Sequence, residues 1–81
     1  RGRVVEEDGI FFAASAVEAA GRLAGRLLAD NPDGFTVSAF RDAAGNTRKH
    51  AMPLLARLDN TGVTRRRGDV RIAGPRLPEA D

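Results

Sequence analysis

Two stretches of helical periodicity in this chain are separated by only three residues, Ala44-Gly45-Asn46. So short a link permits only a tight turn, and it forces the flanking helices to pack against each other at once. The first stretch, Val37 to about Ala44, comes after Thr36, a residue type that caps helix N-termini, and it carries Phe40 to the core. The second runs from Thr47 to about Thr61, with Asn46 as its cap. Its apolar stripe is Ala51, Leu54, Leu55 and Leu58, and Gly62 stands where a C-terminal glycine belongs. The pair reads as a helix-turn-helix. Tight turns of this kind also join helices in plain packing motifs, so the flanking sequence decides.

C-terminal to the pair lie Val63-Thr64-Arg65-Arg66-Arg67, then Gly68-Asp69, then Val70-Arg71-Ile72. Two β-favouring runs around a two-residue glycine turn predict a hairpin. The N-terminal part of the chain carries a second hairpin signal, Arg3-Val4-Val5 and Ile10-Phe11-Phe12 around Glu6-Glu7-Asp8-Gly9. Ser15 and Glu18 then fit a capping box. The helix they would open is built on Val17, Ala20, Ala24, Leu27 and Leu28, with Leu23 on its flank, and Asn31-Pro32-Asp33-Gly34 stops it after Asp30. The resulting order β-β-α-α-α-β-β predicts an α+β winged helix-turn-helix, with three helices, a leading β-hairpin and a C-terminal hairpin as wing.

At 81 residues the chain buries only about 60% of its unfolded surface and supports one core. The winged-helix domain is expected over residues 1–74, with Pro75 and Pro78 opening a flexible tail over 75–81. No cysteine is present, so no disulfide or thiolate site holds the fold, as in a reduced cytoplasmic protein. No apolar run approaches the roughly 18 residues of a membrane span. The opening Arg1-Gly2-Arg3, without methionine, suggests a piece of a longer protein.

The net charge of +2 hides its distribution. Residues 1–34 hold four arginines against six acids. Phe35 to Arg71 holds eight basic residues against Asp42, Asp59 and Asp69, a local +5. Such a half-chain of one sign points to an anionic partner. If Gly68-Asp69 forms the hairpin turn, Arg66 lies directly across from Arg71, with Arg65 and Arg67 beside them. Like charges in that register destabilise a hairpin unless phosphates neutralise them. The competing explanation is that charges protect an edge strand from aggregation. Asn46, Thr47, Arg48 and Lys49 place donors and cations at a helix N-terminus, the end that favours anions. Pro53 falls inside the third helix and is expected to kink it, on the face opposite the leucines together with Lys49 and Ala56.

Catalysis finds no support: no phosphate-binding glycine loop, metal spacing or nucleophile triad occurs, and His50 is the only histidine. It reads as a surface or interface residue. With four Phe, no Trp and no Tyr, a platform of stacking aromatics is also absent.

The run Phe35-Thr36-Val37-Ser38-Ala39-Phe40-Arg41-Asp42, then Gly45-Asn46-Thr47-Arg48-Lys49-His50-Ala51-Met52-Pro53-Leu54-Leu55, Leu58-Asp59 and Gly62-Val63-Thr64-Arg65-Arg66-Arg67-Gly68-Asp69-Val70-Arg71 resembles the last winged-helix domain of the bacterial selenocysteine-specific translation elongation factor. The resemblance extends from Phe35 to Ile72. It implies a monomeric RNA-binding module that grips the mRNA hairpin recoding UGA (the selenocysteine insertion sequence, SECIS) and reads bases extruded from its loop. By position, the contacts implied are Arg41, Thr47, Arg48 and Lys49 on the helix-turn-helix and Arg65, Arg66 and Arg71 on the wing. No cofactor is implied for this domain. GTP, selenocysteyl-tRNA and the ribosome engage other parts of the parent factor. Many members have Thr-Ser at Asn46-Thr47 and Tyr at His50. Donors survive at the turn, but the contribution of that Tyr does not carry over. The alternatives are a DNA-binding winged helix of a transcription regulator, which needs base-reading side chains along the third helix, and a protein-docking winged helix, which needs an exposed apolar patch.

Overall fold

The computed structural model describes residues 3–7, 9–45 and 48–77. The elements keep the expected order with one addition: β1 (Val4–Glu7), β2 (Ile10–Ala13), α1 (Ala14–Asp30), β3 (Phe35–Thr36), α2 (Val37–Ala44), α3 (Arg48–Thr61), β4 (Thr64–Arg67) and β5 (Val70–Ala73). The described residues form a winged helix with three helices and two small antiparallel sheets.

The leading hairpin pairs Val4 with Ala13 through to Glu7 with Ile10, so Glu6 and Glu7 belong to the strand and not to the turn. Of the Asp8-Gly9 turn, Asp8 lies outside the described residues. Alternation turns Val5, Glu7, Ile10 and Phe12 inward and leaves Val4 and Phe11 outside, 66% and 70% exposed.

The capping box at Ser15 does not form. Strand β2 runs directly into α1, which starts two residues earlier than a Ser15 cap would place it, and no side chain caps it. The Ala14 N–H donates to the Arg3 carbonyl at 2.8 Å. With α1 beginning at Ala14, Ser15 lies inside the first turn and no longer stands at the cap position. α1 buries Ala20, Ala24 and Leu28 as expected, and Gly21 and Gly25 beside them.

Thr36 caps α2 as its position predicts, its Oγ1 accepting the Ala39 N–H at 3.1 Å. Gly45 closes α2 in the left-handed region at φ 71° and donates its N–H to the Arg41 and Asp42 carbonyls. Asn46, expected to cap α3, lies outside the described residues. α3 delivers Ala51, Leu54, Leu55 and Leu58 to a core shared with Ala20, Ala24, Leu28, Phe35 and Phe40. Each leucine buried there stabilises the fold by about 1.5–3 kcal/mol. The Phe35 and Phe40 rings stack at 6.0 Å between centroids.

The wing has the expected register, Arg67 opposite Val70, Arg66 opposite Arg71 and Arg65 opposite Ile72. It is also wider than the sequence suggests, because Phe35 and Thr36 pair with Arg71 and Val70 to add β3. The strand order β3-β5-β4 makes β5 central and leaves β4 outermost. Residues 75–77, expected to begin a flexible tail, are tied into the fold. The Arg76 N–H donates to the Gly62 carbonyl at 2.8 Å, Leu77 bonds back to Gly74, and the Leu77 side chain packs on the core. The rest of the expected tail, 78–81, lies outside the described residues.

Candidate nucleic-acid interface

The basic residues fall at the two ends of α3. At its beginning, Arg41 sits in the last turn of α2, half-buried, its Nε 3.7 Å from Asp42 Oδ1. A cation there also suits the helix dipole. Lys49 is exposed in the first turn of α3. Asn46 and Thr47 lie outside the described residues. The backbone of Arg48 opens α3. The wing leaves from the other end, and at 1.5 Å per residue about 20 Å of helix separates Lys49 from Thr61. Basic residues are thus carried both around the start of α3 and on the wing that follows its end.

The wing grip is built on β4. Arg65, Arg66 and Arg67 are all exposed, in consecutive positions on the outermost strand of the sheet. Pleating sends Arg65 and Arg67 to one face and Arg66 to the other. Arg66 Nε donates to the Gly68 carbonyl at 3.2 Å, which folds this side chain along the turn.

Arg71 differs from the other wing arginines in its surroundings. It stands on the central strand, only 6% exposed. Its guanidinium grips Asp59 of α3, with Nη2 at 2.9 Å and Nε at 3.2 Å from Oδ2. Thr64 Oγ1 donates to the other carboxylate oxygen at 2.6 Å. A guanidinium held this way has its Nε and Nη2 donors committed inside the protein. Removing either partner would leave a buried charge unpaired, at a cost of about 3–5 kcal/mol. The like-charge clash expected between Arg66 and Arg71 is relieved from inside the protein, by Asp59, and not by an external anion. Asp59 did carry a signal in the sequence: an acid in the last turn of a helix opposes the dipole and calls for a cationic partner.

The face of α3 expected to point outward is partly covered. Pro53 is buried, against the expectation that it lies opposite the core. The leading hairpin packs along this side of the helix. The Phe12 ring meets His50 edge-on, with centroids 6.4 Å apart. Glu7 accepts a hydrogen bond from Asn60 Nδ2 at 3.0 Å and lies 4.0 Å from Arg57. Positions 50, 57 and 60 lie on one side of the helix, so the hairpin touches α3 along that side. Among the described residues of α3, Lys49, His50, Met52 and Asn60 are exposed and Ala56 is half-buried. Among the described residues no group of acids and histidine could hold a metal ion, and no helix is long and apolar enough to cross a membrane.

Comparison with known proteins places this geometry. A family model described as "Elongation factor SelB, winged helix" matches residues 26–73, more than half of the chain. Among solved structures, the mRNA-binding domain of elongation factor SelB from E. coli, determined in complex with SECIS RNA, superposes with a TM-score of 0.75 at 24% sequence identity. The match covers 88% of this chain and 59% of that one, so the chain spans about six tenths of that relative's length. No curated protein matches significantly.

Proposed function

Because the chain belongs to the winged-helix family of elongation factor SelB, we propose that it binds the SECIS hairpin of an mRNA during selenocysteine incorporation at UGA codons. The observation that carries this reading is the exposed run Arg65-Arg66-Arg67 on the outermost strand of the wing. The SECIS RNA held by a relative of the same fold supports it. The wing arginines and the α3 end, with Arg41, Asn46, Thr47, Arg48 and Lys49, grip phosphates on two sides of the hairpin. Arg71 is left out of the contact set, because Asp59 already holds it.

The division of labour comes from RNA geometry. An A-form stem hides its base edges in a deep, narrow groove, so sequence is carried by loop and extruded bases. A protein reaching such a loop needs its cations at separated points on a small surface. Arginine forks then bond phosphate oxygens bidentately. A DNA-reading role asks the long face of α3 to enter a major groove, yet the leading hairpin packs along one side of that helix through Phe12 and Glu7. The domain works without catalysis or a cofactor of its own, as the last module of a cytoplasmic factor. GTP, selenocysteyl-tRNA and ribosome binding fall to the rest of that factor.

The salt dependence of binding tests the assignment. Neutralising about four to six phosphates gives log affinity against log salt a slope of roughly −3 to −5. Arg65→Ala with Arg66→Ala makes this slope shallower by about 1.5. Unchanged slope and affinity in that variant would remove the wing from the interface.

A further inference from the structure

We infer that Asp59 is a positioning residue for RNA binding: by clamping Arg71 and Thr64 it fixes the wing at one angle to α3 and so sets where Arg65, Arg66 and Arg67 meet the hairpin. This inference rests on the RNA-binding reading above.

Both wing strands meet α3 at one carboxylate. Thr64, the first residue of β4, is fully buried and donates to Asp59 Oδ1 at 2.6 Å. Arg71 of β5 reaches the same group through two nitrogens, the nearer at 2.9 Å. Strand pairing in turn locks β5 to β4 and β3. A carboxylate that holds both strands leaves the sheet no hinge at the base of the wing. The arginines of the grip come directly after Thr64, so at about 3.3 Å per residue they lie within roughly 10 Å of this clamp. Charge-assisted bonds to phosphate form at about 2.7–2.9 Å, so a shift of the wing by even an ångström at that distance breaks them.

Asp59 has a second effect on the same grip. Arg66 and Arg71 are direct cross-strand partners, and an unpaired Arg71 would repel its neighbour. With its charge taken up by Asp59, Arg71 stays buried and Arg66 remains outside, along the Gly68 turn. The carboxylate therefore sorts two like charges into one structural and one exposed.

The test replaces the ion pair without emptying the site. Asp59→Asn combined with Arg71→Gln keeps hydrogen-bonding groups in both places and removes none of the exposed cations. Asp59→Glu keeps the charge pair but lengthens the clamp by one methylene, and it serves should the double variant not fold. Binding to a SECIS-type hairpin and to a scrambled-loop hairpin is measured across a salt series, well below each variant's melting temperature. The expected result is a loss of about tenfold in affinity for the SECIS-type hairpin, equivalent to ~1.4 kcal/mol. The salt slope becomes shallower in both the double variant and Asp59→Glu, because displaced arginines contact fewer phosphates. Unchanged affinity for the SECIS-type hairpin would show that the clamp only stabilises the fold and would overturn the inference. A slope shallower by about one unit in the double variant, but not in Asp59→Glu, would make Arg71 itself a phosphate contact and overturn it too. Absence of salt-dependent binding by the unaltered protein would instead strike the RNA-binding reading, and the positioning role with it.

Discussion

Replacing Gly74 by alanine sets two effects of opposite sign against each other. Gly74 comes just after the last wing strand and passes directly over the Gly62-Val63 link between α3 and β4. A Cβ built on it would meet the Gly62 carbonyl oxygen closer than real Cβ contacts allow, with the Gly62 and Val63 carbonyl carbons at 2.9 and 3.0 Å. All three atoms are backbone, so no side chain can swing aside. The link must move, which strains the bonds Gly74 N–H to Val63 O at 3.0 Å and Arg76 N–H to Gly62 O at 2.8 Å. Two such bonds contribute about 1 kcal/mol each, and overpacking adds about 1–3 kcal/mol. Against this, alanine reduces the entropy of the unfolded chain, a gain of about 0.4–1 kcal/mol. The steric side wins, and the variant is less stable by about 2–4 kcal/mol. That is a large share of the roughly 4–12 kcal/mol expected for a chain of this size. Urea unfolding monitored by circular dichroism measures it. With an m-value near 1 kcal/mol/M, the midpoint falls by about 2–4 M. Gly45→Ala is the contrast, since nothing lies within 4 Å of its Cβ and only its φ of 71° is strained. It loses about 1–2 kcal/mol. A Gly74→Ala protein as stable as the unaltered one would refute the reasoning, because the close approach would then carry no energetic weight.

Phe40 is completely buried, so Phe40→Ala loses about 3–5 kcal/mol, and a melt showing less than 1 kcal/mol would mean that the core is not centred there. Thr36→Ala removes the α2 cap and lowers stability by about 1 kcal/mol, read as a fall of about 4–8 °C in Tm. Phe11 is 70% exposed, so Phe11→Ser changes stability by less than about 0.5 kcal/mol; a larger loss would place its ring in the packing of the hairpin.

Local rules made much of this fold legible. The glycine and proline breaks, the Thr36 cap, the leucine stripe of α3 and the Gly68-Asp69 turn act over a few residues, and each appears where its chemistry puts it. The departures have long-range causes. Ser15 loses its cap position because α1 begins at Ala14, whose N–H reaches the Arg3 carbonyl just ahead of β1, eleven residues away. β3 was invisible because a two-residue strand has no periodicity, and only the finished wing supplies its partner. Pro53 was assigned to an outer face, yet it is buried. At the site, the exposed wing arginines could be read from the register of a two-residue turn. Separating Arg71 from them required knowing that the end of α3 lies under the wing, where Asp59 meets it at 2.9 Å. Charge counting treats all four arginines alike, whereas burial does not.

The central claim is tested most directly by titrating the protein with an RNA hairpin taken from just downstream of a UGA codon in a selenoprotein message. A hairpin with a scrambled loop and a DNA duplex of equal length are run at the same salt concentration. The account predicts that the selenoprotein hairpin binds at least about tenfold tighter than either competitor, a margin of ~1.4 kcal/mol. Equal affinity for all three would contradict it, reducing the role of the basic residues to general polyanion binding.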